Sequence, residues 1–508
     1  MKKIFINSAP WETRCATTKD GKLQNIYFTS TLSKHLERSF FKGIVSKVLP
    51  GIQTAFVDIN QERAGFLHIS EIDRDLALSR MSDTLEIEDE DEIQTKEKPR
   101  RRHSPPNISK IFHEGEKILV QVSKEPVYEK GAKLTTCFTL PGRFVVLMPN
   151  IPKIVISKKI EAREERARLK EITKKLLPAG MGAIIRTSSK DRSEKELSKD
   201  ISMLVHSWNS VVTKFKKAEG AEQLHEDLPM YLQVVRDHLD GDVSEVITDN
   251  KDIQNKIYKF IKAIAPEFVN KIKYYDGPPT LFDFFDIENQ IDAALQKKVY
   301  LKSGGSIIIE TTESMTVIDV NTGKFTGKEN LEDTVFATNL EAANEVARQL
   351  RLRNIGGLIV IDFIDMSVAA NKQRLYKTFE QNLKEQDKFQ SVVLQISEFG
   401  LVQMTRKRSG RTLQQQLTEN CACCHGLGLI KSIRTRAYTI LRKFEAELEA
   451  LNKLEQITLS INPKIFDFIT QVEYNTILKL EKEYHCKIIL LSNQEIDETT
   501  YKVESVQT

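Results

Sequence analysis

Two apolar segments of this chain each run into an aspartate: VIDVN at 317–321 and LIVIDFIDM at 358–366. Read as strands of Val and Ile buried on both faces, they have no reason to end in carboxylates unless something positive sits at their mouth. A hard divalent cation with a taste for oxygen ligands meets that need best. Asp319 and Asp362 are therefore the first candidates for metal ligands. Mg²⁺ takes a few carboxylates, keeps several waters, polarises a phosphoryl oxygen and lowers the pKa of an attacking water. The chemistry these residues point to is thus hydrolysis of a phosphodiester. Asn321 follows Asp319 by two positions and shares its strand face, whereas Asp365, three positions after Asp362, is predicted to turn to the other face. Taken singly, either aspartate also reads as a loop cap.

A second constellation is CACCHGLG at 421–428. Cys421 and Cys424 stand at Cys-x-x-Cys spacing, followed by glycines that allow a tight turn. Structural zinc takes four ligands and one such pair supplies two. Either a second copy of the chain completes the set, or Cys423 and His425 join it. A thioredoxin-like redox pair is the other reading, but no suitable βαβ pattern is expected around it.

The elements that position these groups come from a long chain of ordinary composition. At 508 residues several domains with ample core are expected. Lys and Arg number 75 against 71 Asp and Glu, so a nucleic-acid surface has to arise from local clustering rather than bulk charge. Of six cysteines, three crowd into 421–424 and Cys15, Cys137 and Cys486 are scattered, which suits a reducing compartment rather than a disulfide framework. The opening MKKIFINSAPWETRC lacks the apolar core of a signal peptide, and no later stretch approaches the roughly twenty apolar residues of a membrane span. A cytoplasmic protein is expected. IFIN (4–7), NIYF (25–28) and the segment 42–72 read as short strands of a small β-barrel, with Phe56 and Phe66 near strand ends. Residues 82–107, an acidic run followed by KEKPRRRHSPPN, read as a disordered insertion. Strands return at 117–122 and 134–150, a charged helix follows at 159–177, and 200–300 is mostly helical. Between 301 and 408 strands alternate with helices, an α/β layer with ligands at strand ends. From 429 a helix and then short strands form a small separate unit.

The motifs LPGIQTAFVDI, LTTCFTLPGRFVVLMPN, GAIIRT, TVIDVNTGKFTG, LEDTVFATNLEAANEVARQLRLRNIGGLIVIDFIDM, GLVQMTRKR and CACCHGLG span nearly the whole chain. Together they resemble the ribonuclease E/G family of bacterial endoribonucleases. The chain is similar to the short members, without a long Pro- and Arg-rich tail. The resemblance implies a multidomain α+β and α/β fold. An RNase H-like subdomain (1–37 and 230–297) would carry an inserted S1 (OB-type) barrel (38–130) and a 5′-sensor region (131–229). A DNase I-like catalytic domain (298–418), a zinc-link (419–428) and a small C-terminal α/β domain for dimer or tetramer contacts (429–508) would follow. It further implies Mg²⁺ on Asp319 and Asp362 with Asn321 orienting Asp319, and Zn²⁺ shared by Cys421 and Cys424 of two protomers. Single-stranded RNA would lie on Phe56, Phe66, Lys124 and Lys130, and a 5′-monophosphate in a pocket of Gly142, Val146, Arg186 and Thr187, to which Arg143 adds charge. The implied role is Mg²⁺-dependent endoribonuclease action in ribosomal RNA (16S 5′-end) maturation and messenger decay. The alternative is a non-catalytic S1-domain RNA-binding regulator or chaperone, which would need neither aspartate.

Overall fold

The computed structural model describes residues 1–30, 35–72, 87–88, 108–126, 131–323, 331–387, 389–397, 399–408, 410–450 and 455–506. These fall into two compact units, Met1–Gln416 and Leu417–Thr508.

In the larger unit, Lys2–Ser8, Glu12–Lys19 and Lys22–Ser30 form an antiparallel meander, and Val243–Thr248 joins it parallel to Lys2–Ser8, with Ile272–Tyr274 outermost. Ile4 and Ile6 pack here against Val235, Ile253 and Ile257 from helices Met230–His238 and Lys251–Ile264. The two distant segments 1–37 and 230–297 thus share one sheet. IFIN and NIYF belong to this sheet and not to the barrel, and the stretch expected to be mostly helical contributes two of its strands.

The barrel closes through Phe40–Leu49, Thr54–Asp58, Gly65–His68, Lys133–Thr135 and Lys117–Lys124, the last strand pairing back to the first. Phe41, Val45, Ala55, Val57, Leu67, Val120 and Leu134 fill it. Gly43 is needed for closure, because a Cβ there would stand 2.4 Å from Val57 Cγ1. The closing strand Lys133–Thr135 extends the barrel past the expected boundary at 130. Within the predicted insertion, Ile87–Glu88 pairs with Ile154–Ser157 as a two-residue strand, contrary to a wholly unstructured segment; the remainder of 82–107 lies outside the described residues. Beside the barrel, Val145–Met148, Gly182–Ile185 and Ile154–Ser157 make a mixed sheet, backed by Glu194–Lys217, whose start is fixed by a Ser193/Glu196 capping box.

The sheet that bears the two aspartates runs Lys298–Tyr300, Ser306–Thr311, Met315–Asn321, Gly357–Asp362, Leu401–Arg406, Ser391–Val393. Helices Leu331–Leu352 and Ala369–Gln386 cover one face, where Ile318, Val320, Ile359 and Ile361 meet Ala342, Val346, Leu375 and Phe379. The other face is open: Val317 is 37% and Leu358 41% exposed. This corrects the premise of strands buried on both faces. Apolar residues on the open side mimic a two-sided core in the sequence, yet the strands alternate.

In the smaller unit, Gln456–Ile461 pairs parallel with Lys487–Ser492 and antiparallel with Tyr501–Val506. Helices Pro463–Val472 and Tyr474–Tyr484 cross between the parallel strands, both missed where only strands were expected. Asn462 caps the first by accepting from Lys464 N, with proline at its first position, a start signal that the sequence does contain. A βαβ unit therefore exists after all, but the cysteine pair precedes it, before helix Ile433–Ala450.

Candidate functional site

Parallel pairing of Met315–Asn321 with Gly357–Asp362 sets Asp319 directly beside Asp362, both on the open face. Asn321 Nδ2 donates to Asp319 Oδ2 at 2.7 Å. Burial and the neighbouring charges of Asp319 and Asp365 push the Asp362 carboxyl above the usual carboxylate range. Asp365 is therefore near the pair, not turned away as strand periodicity predicts, because the strand stops at Asp362. Buried Asn339 explains the stop. Its Nδ2 donates to Ile364 O at 2.8 Å and its Oδ1 accepts from Ile364 N at 3.1 Å, pulling the chain out of the ladder. Just beyond, the Glu332 carboxylate accepts from Ser367 N (3.0 Å), Ser367 Oγ (2.8 Å), Val368 N (3.1 Å) and Asn371 Nδ2 (3.2 Å), capping helix Ala369–Gln386. Chiefly through the Ser367 N–H, its carboxyl drops to about 2. Asn339 and Glu332 carry no local sequence signal for this work. Among the described residues no group of three or more His, Cys, Asp or Glu side chains is arranged to hold a metal. Two adjacent carboxylates, one of them oriented by an amide, nonetheless suit a hard divalent cation.

On the barrel, strand register lines up one row of side chains: Lys47 opposite Phe56, Phe56 opposite Phe66, Phe66 beside Lys133, and Lys133 opposite Lys124. Both phenylalanines are half-buried and outside the barrel core, so they are not core filling. Lys47 and Lys124 are exposed, and Lys133 Nζ meets Glu71 Oε1 at 2.5 Å. An aromatic pair flanked by ammonium groups can stack bases and follow a phosphate backbone. Sequence reading missed Lys47 and Lys133, and Lys130 lies outside the described residues.

Arg186 directly follows strand Gly182–Ile185, which pairs with the strand carrying Val146. Arg186 Nη1 donates to Gly142 O (2.7 Å) and to Asp237 Oδ1 (2.9 Å). Val146, Arg186 and Thr187 line one open groove of ≈ 1920 Å³, whose wall also carries Lys22, Arg236 and Arg351. Gly142 is brought to it through the Arg186 contact and is required there, since a Cβ would lie 2.6 Å from Asp200 Oδ2. Buried Asp200 gathers the N–H groups of Arg143 (3.1 Å), Phe144 (2.9 Å) and Val145 (3.1 Å) and so shapes the turn. Its burial pushes the carboxyl up, against the pull of those N–H groups. Arg143 lines the same groove, while its buried guanidinium bonds the carbonyls of Ile264 and Leu239 and pairs with Glu267.

In the smaller unit, backbone N–H groups of Cys424 and Cys423 aimed at Cys421 hold its thiol below the ordinary range. His425 N bonds Cys421 O at 2.7 Å, and His425, Gly426 and Gly428 take left-handed φ values of 49°, 88° and 74°, closing the turn. Cys421 and Cys423 are exposed and Cys424 half-buried. This donor set suits a thiophilic ion, one chain contributing two sulfurs.

No helix among the described residues is long and apolar enough to cross a membrane. Comparison with known proteins gives the family. A family model described as Ribonuclease E/G family matches residues 139–409, and one described as RNase E/G, Thioredoxin-like domain matches 420–506. Ribonuclease G of Escherichia coli (strain K12) is 36% identical over 497 residues, covering 97% of this chain and 98% of that protein. Ribonuclease G of Haemophilus influenzae is 36% identical over 476 residues, 94% of this chain and 93% of that protein. Ribonuclease E of Haemophilus influenzae is 34% identical over 506 residues, 99% of this chain but 52% of that protein. On sequence likeness across its whole length, the chain belongs to the ribonuclease E/G family of endoribonucleases.

Proposed function

We propose that the protein is a Mg²⁺-dependent endoribonuclease that hydrolyses phosphodiester bonds in single-stranded RNA and is stimulated by a 5′-monophosphate. The observation that carries the reading is the side-by-side register of Asp319 and Asp362, with Asn321 bound to Asp319. When bound there, Mg²⁺ polarises the phosphoryl oxygen and acidifies a water. Asp319 and Asp362 hold the ion, Asn321 fixes the Asp319 rotamer, and the Asn339 and Glu332 contacts keep the loop after Asp362 in place. The row Lys47, Phe56, Phe66, Lys133, Lys124 supports a role in holding the strand being cut. Gly142, Val146, Arg186 and Thr187 support 5′-phosphate recognition, with Arg186 offering its remaining donors in a planar fork. Cys421 and Cys424 support a zinc ion shared by two protomers as the basis of a homodimer. The order Ile272–Tyr274, Val243–Thr248, Lys2–Ser8, Glu12–Lys19, Lys22–Ser30 supports reading 1–37 and 230–297 as RNase H-like; 298–418 is read as DNase I-like on the family likeness alone. All six cysteines are free thiols, which supports a reducing, cytoplasmic setting. Ribosomal RNA maturation and messenger decay are the roles this activity would serve.

The test is cleavage of a 5′-monophosphorylated oligoribonucleotide beside its 5′-hydroxyl form, with Mg²⁺ and with EDTA. Internal cutting that needs Mg²⁺ and runs faster on the monophosphate is expected. Binding without cutting would overturn the enzymatic reading in favour of an RNA-binding regulator.

A further inference from the structure

Phe399 is 86% exposed, beyond any other phenylalanine among the exposed residues described. A solitary exposed phenylalanine on a surface needs no explanation. This one stands where the carboxylates are. Leu401, two residues on, is the cross-strand partner of Asp362. Gly400 adjoins Asp365, since a Cβ at Gly400 would be 3.1 Å from Asp365 Oδ1. With consecutive Cα atoms about 3.8 Å apart, Phe399 sits at the rim of the carboxylate cluster. The turn that carries it is tied down: Ser397 N bonds Leu401 O at 2.9 Å, Gly400 N bonds Ser397 O at 3.0 Å, and Leu401 N bonds Ser397 Oγ at 3.2 Å. Gly400 supplies the left-handed φ of 79° that the turn requires. The aromatic ring is thus held out to solvent by a hydrogen-bonded turn instead of folding back on the core.

The surroundings continue the same surface. Leu394 N bonds Gln403 O, and Gln403 is the cross-strand partner of Val360, which neighbours Val317 in turn. Val317 and Leu394 are exposed, so a row of Val317, Val360, Gln403 and Leu394, apolar but for the glutamine, runs behind Asp319 and Asp362. We propose that Phe399 is a substrate-binding residue that stacks on the nucleobase flanking the scissile phosphate, while the phosphate itself is at the carboxylates. This rests on the endoribonuclease reading above. An RNA strand suits the location better than a protein partner, because whatever covers Phe399 must leave the adjoining carboxylates reachable by a phosphodiester. A ring face accepts any base, in keeping with a single-stranded substrate of varied sequence.

The test pairs Phe399→Ala and Phe399→Trp with oligoribonucleotides carrying one abasic site at each position around the cut. On intact RNA, Phe399→Ala is expected to lower kcat/KM by about ten- to a hundredfold, with Trp restoring most of it. Its melting temperature should match the parent, as the side chain is exposed. In the parent protein one abasic position beside the cut should cost a similar factor. In Phe399→Ala that same position should cost nothing further. Equal abasic sensitivity in parent and Phe399→Ala, or full activity of Phe399→Ala, would overturn the proposal. So would a loss of activity that tracks a change in sedimentation with abasic sensitivity unaltered, since protein would then be covering the ring. If the parent cuts no RNA but binds it, the endoribonuclease reading fails first and this proposal with it.

Discussion

Replacing Asn321 by alanine isolates one contact in the carboxylate site. The 2.7 Å bond from Asn321 Nδ2 to Asp319 Oδ2 is charge-assisted, a class with a net worth of about 1.5–3 kcal/mol. Asn321 is exposed, so water competes for both partners and the lower figure applies. At about 1.4 kcal/mol per decade that predicts roughly a tenfold loss, inside the 10- to 100-fold range typical of groups that orient metal ligands. The loss should appear as a rise in the Mg²⁺ concentration needed for half-maximal cleavage, because the side chain acts through the rotamer of a ligand. At saturating Mg²⁺ the variant should approach the parent rate. A quenched-fluorophore oligoribonucleotide assay over a Mg²⁺ titration reads both quantities, and a thermal melt checks that folding is intact. By contrast, Asp319→Asn removes a proposed ligand and should abolish cutting at every Mg²⁺ concentration while RNA binding persists. The reasoning is refuted if Asn321→Ala titrates like the parent. It is refuted equally by a deficit of the same size at saturating Mg²⁺, which would mean that Asn321 acts on RNA and not on Asp319.

Four other outcomes follow from contacts described above. Phe56→Ala and Phe66→Ala should each weaken single-stranded RNA binding by roughly five- to a hundredfold in fluorescence anisotropy, less than additively in combination because the rings are direct cross-strand partners. Lys47→Ala should reduce the slope of log affinity against log salt by about 0.7. Cys421→Ser should lower zinc content measured by mass spectrometry and shift sedimentation from dimer to monomer; retention of zinc and dimer would exclude the shared site. The Glu332 carboxyl lies at about 2, below the unfolded value of about 4.3, so its contribution to stability is present above pH 4.3 and is lost as pH falls toward 2. Glu332→Gln should therefore melt lower than the parent at pH 7, and the gap should close between about pH 4 and pH 2.

The aspartates were legible in the sequence because a run of Val and Ile that ends in a carboxylate is unusual wherever it occurs. What was not legible was every feature set by pairing between distant segments. That Asp319 adjoins Asp362 depends on the register of two strands about 40 residues apart, which local patterning does not encode. The position of Asp365 was misjudged for the same reason: the amide that ends the strand after Asp362 belongs to Asn339, on a helix 25 residues earlier than Ile364. Lys47 and Lys133 could not be attached to Phe56 and Phe66 without knowing which barrel strands are neighbours. Arg143 and Arg186 look equally free in LPGRFVV and IIRT, yet one guanidinium is buried against helix-end carbonyls and the other faces a groove with Asp237 at its side. The strand Val243–Thr248 carries a Ser and a Glu among its apolar residues, and its membership of a sheet comes from its parallel partner Lys2–Ser8.

The one-sided clothing of the sheet that bears Asp319 and Asp362 separates two kinds of evolutionary freedom. Beneath it, Ile318, Ile359 and Ile361 are fully buried against the helices, and truncating any of them to alanine should cost about 2–5 kcal/mol. On the open side, residues such as Val317, Leu358, Gln403 and Thr405 touch solvent, where substitutions usually change stability by no more than about 0.5 kcal/mol. On the proposed function, a lineage can therefore rewrite the ground on which its substrate would rest, position by position, without passing through an unstable intermediate. Divergence of substrate preference among descendants of this scaffold would then accumulate on that surface while the helices underneath stay constant.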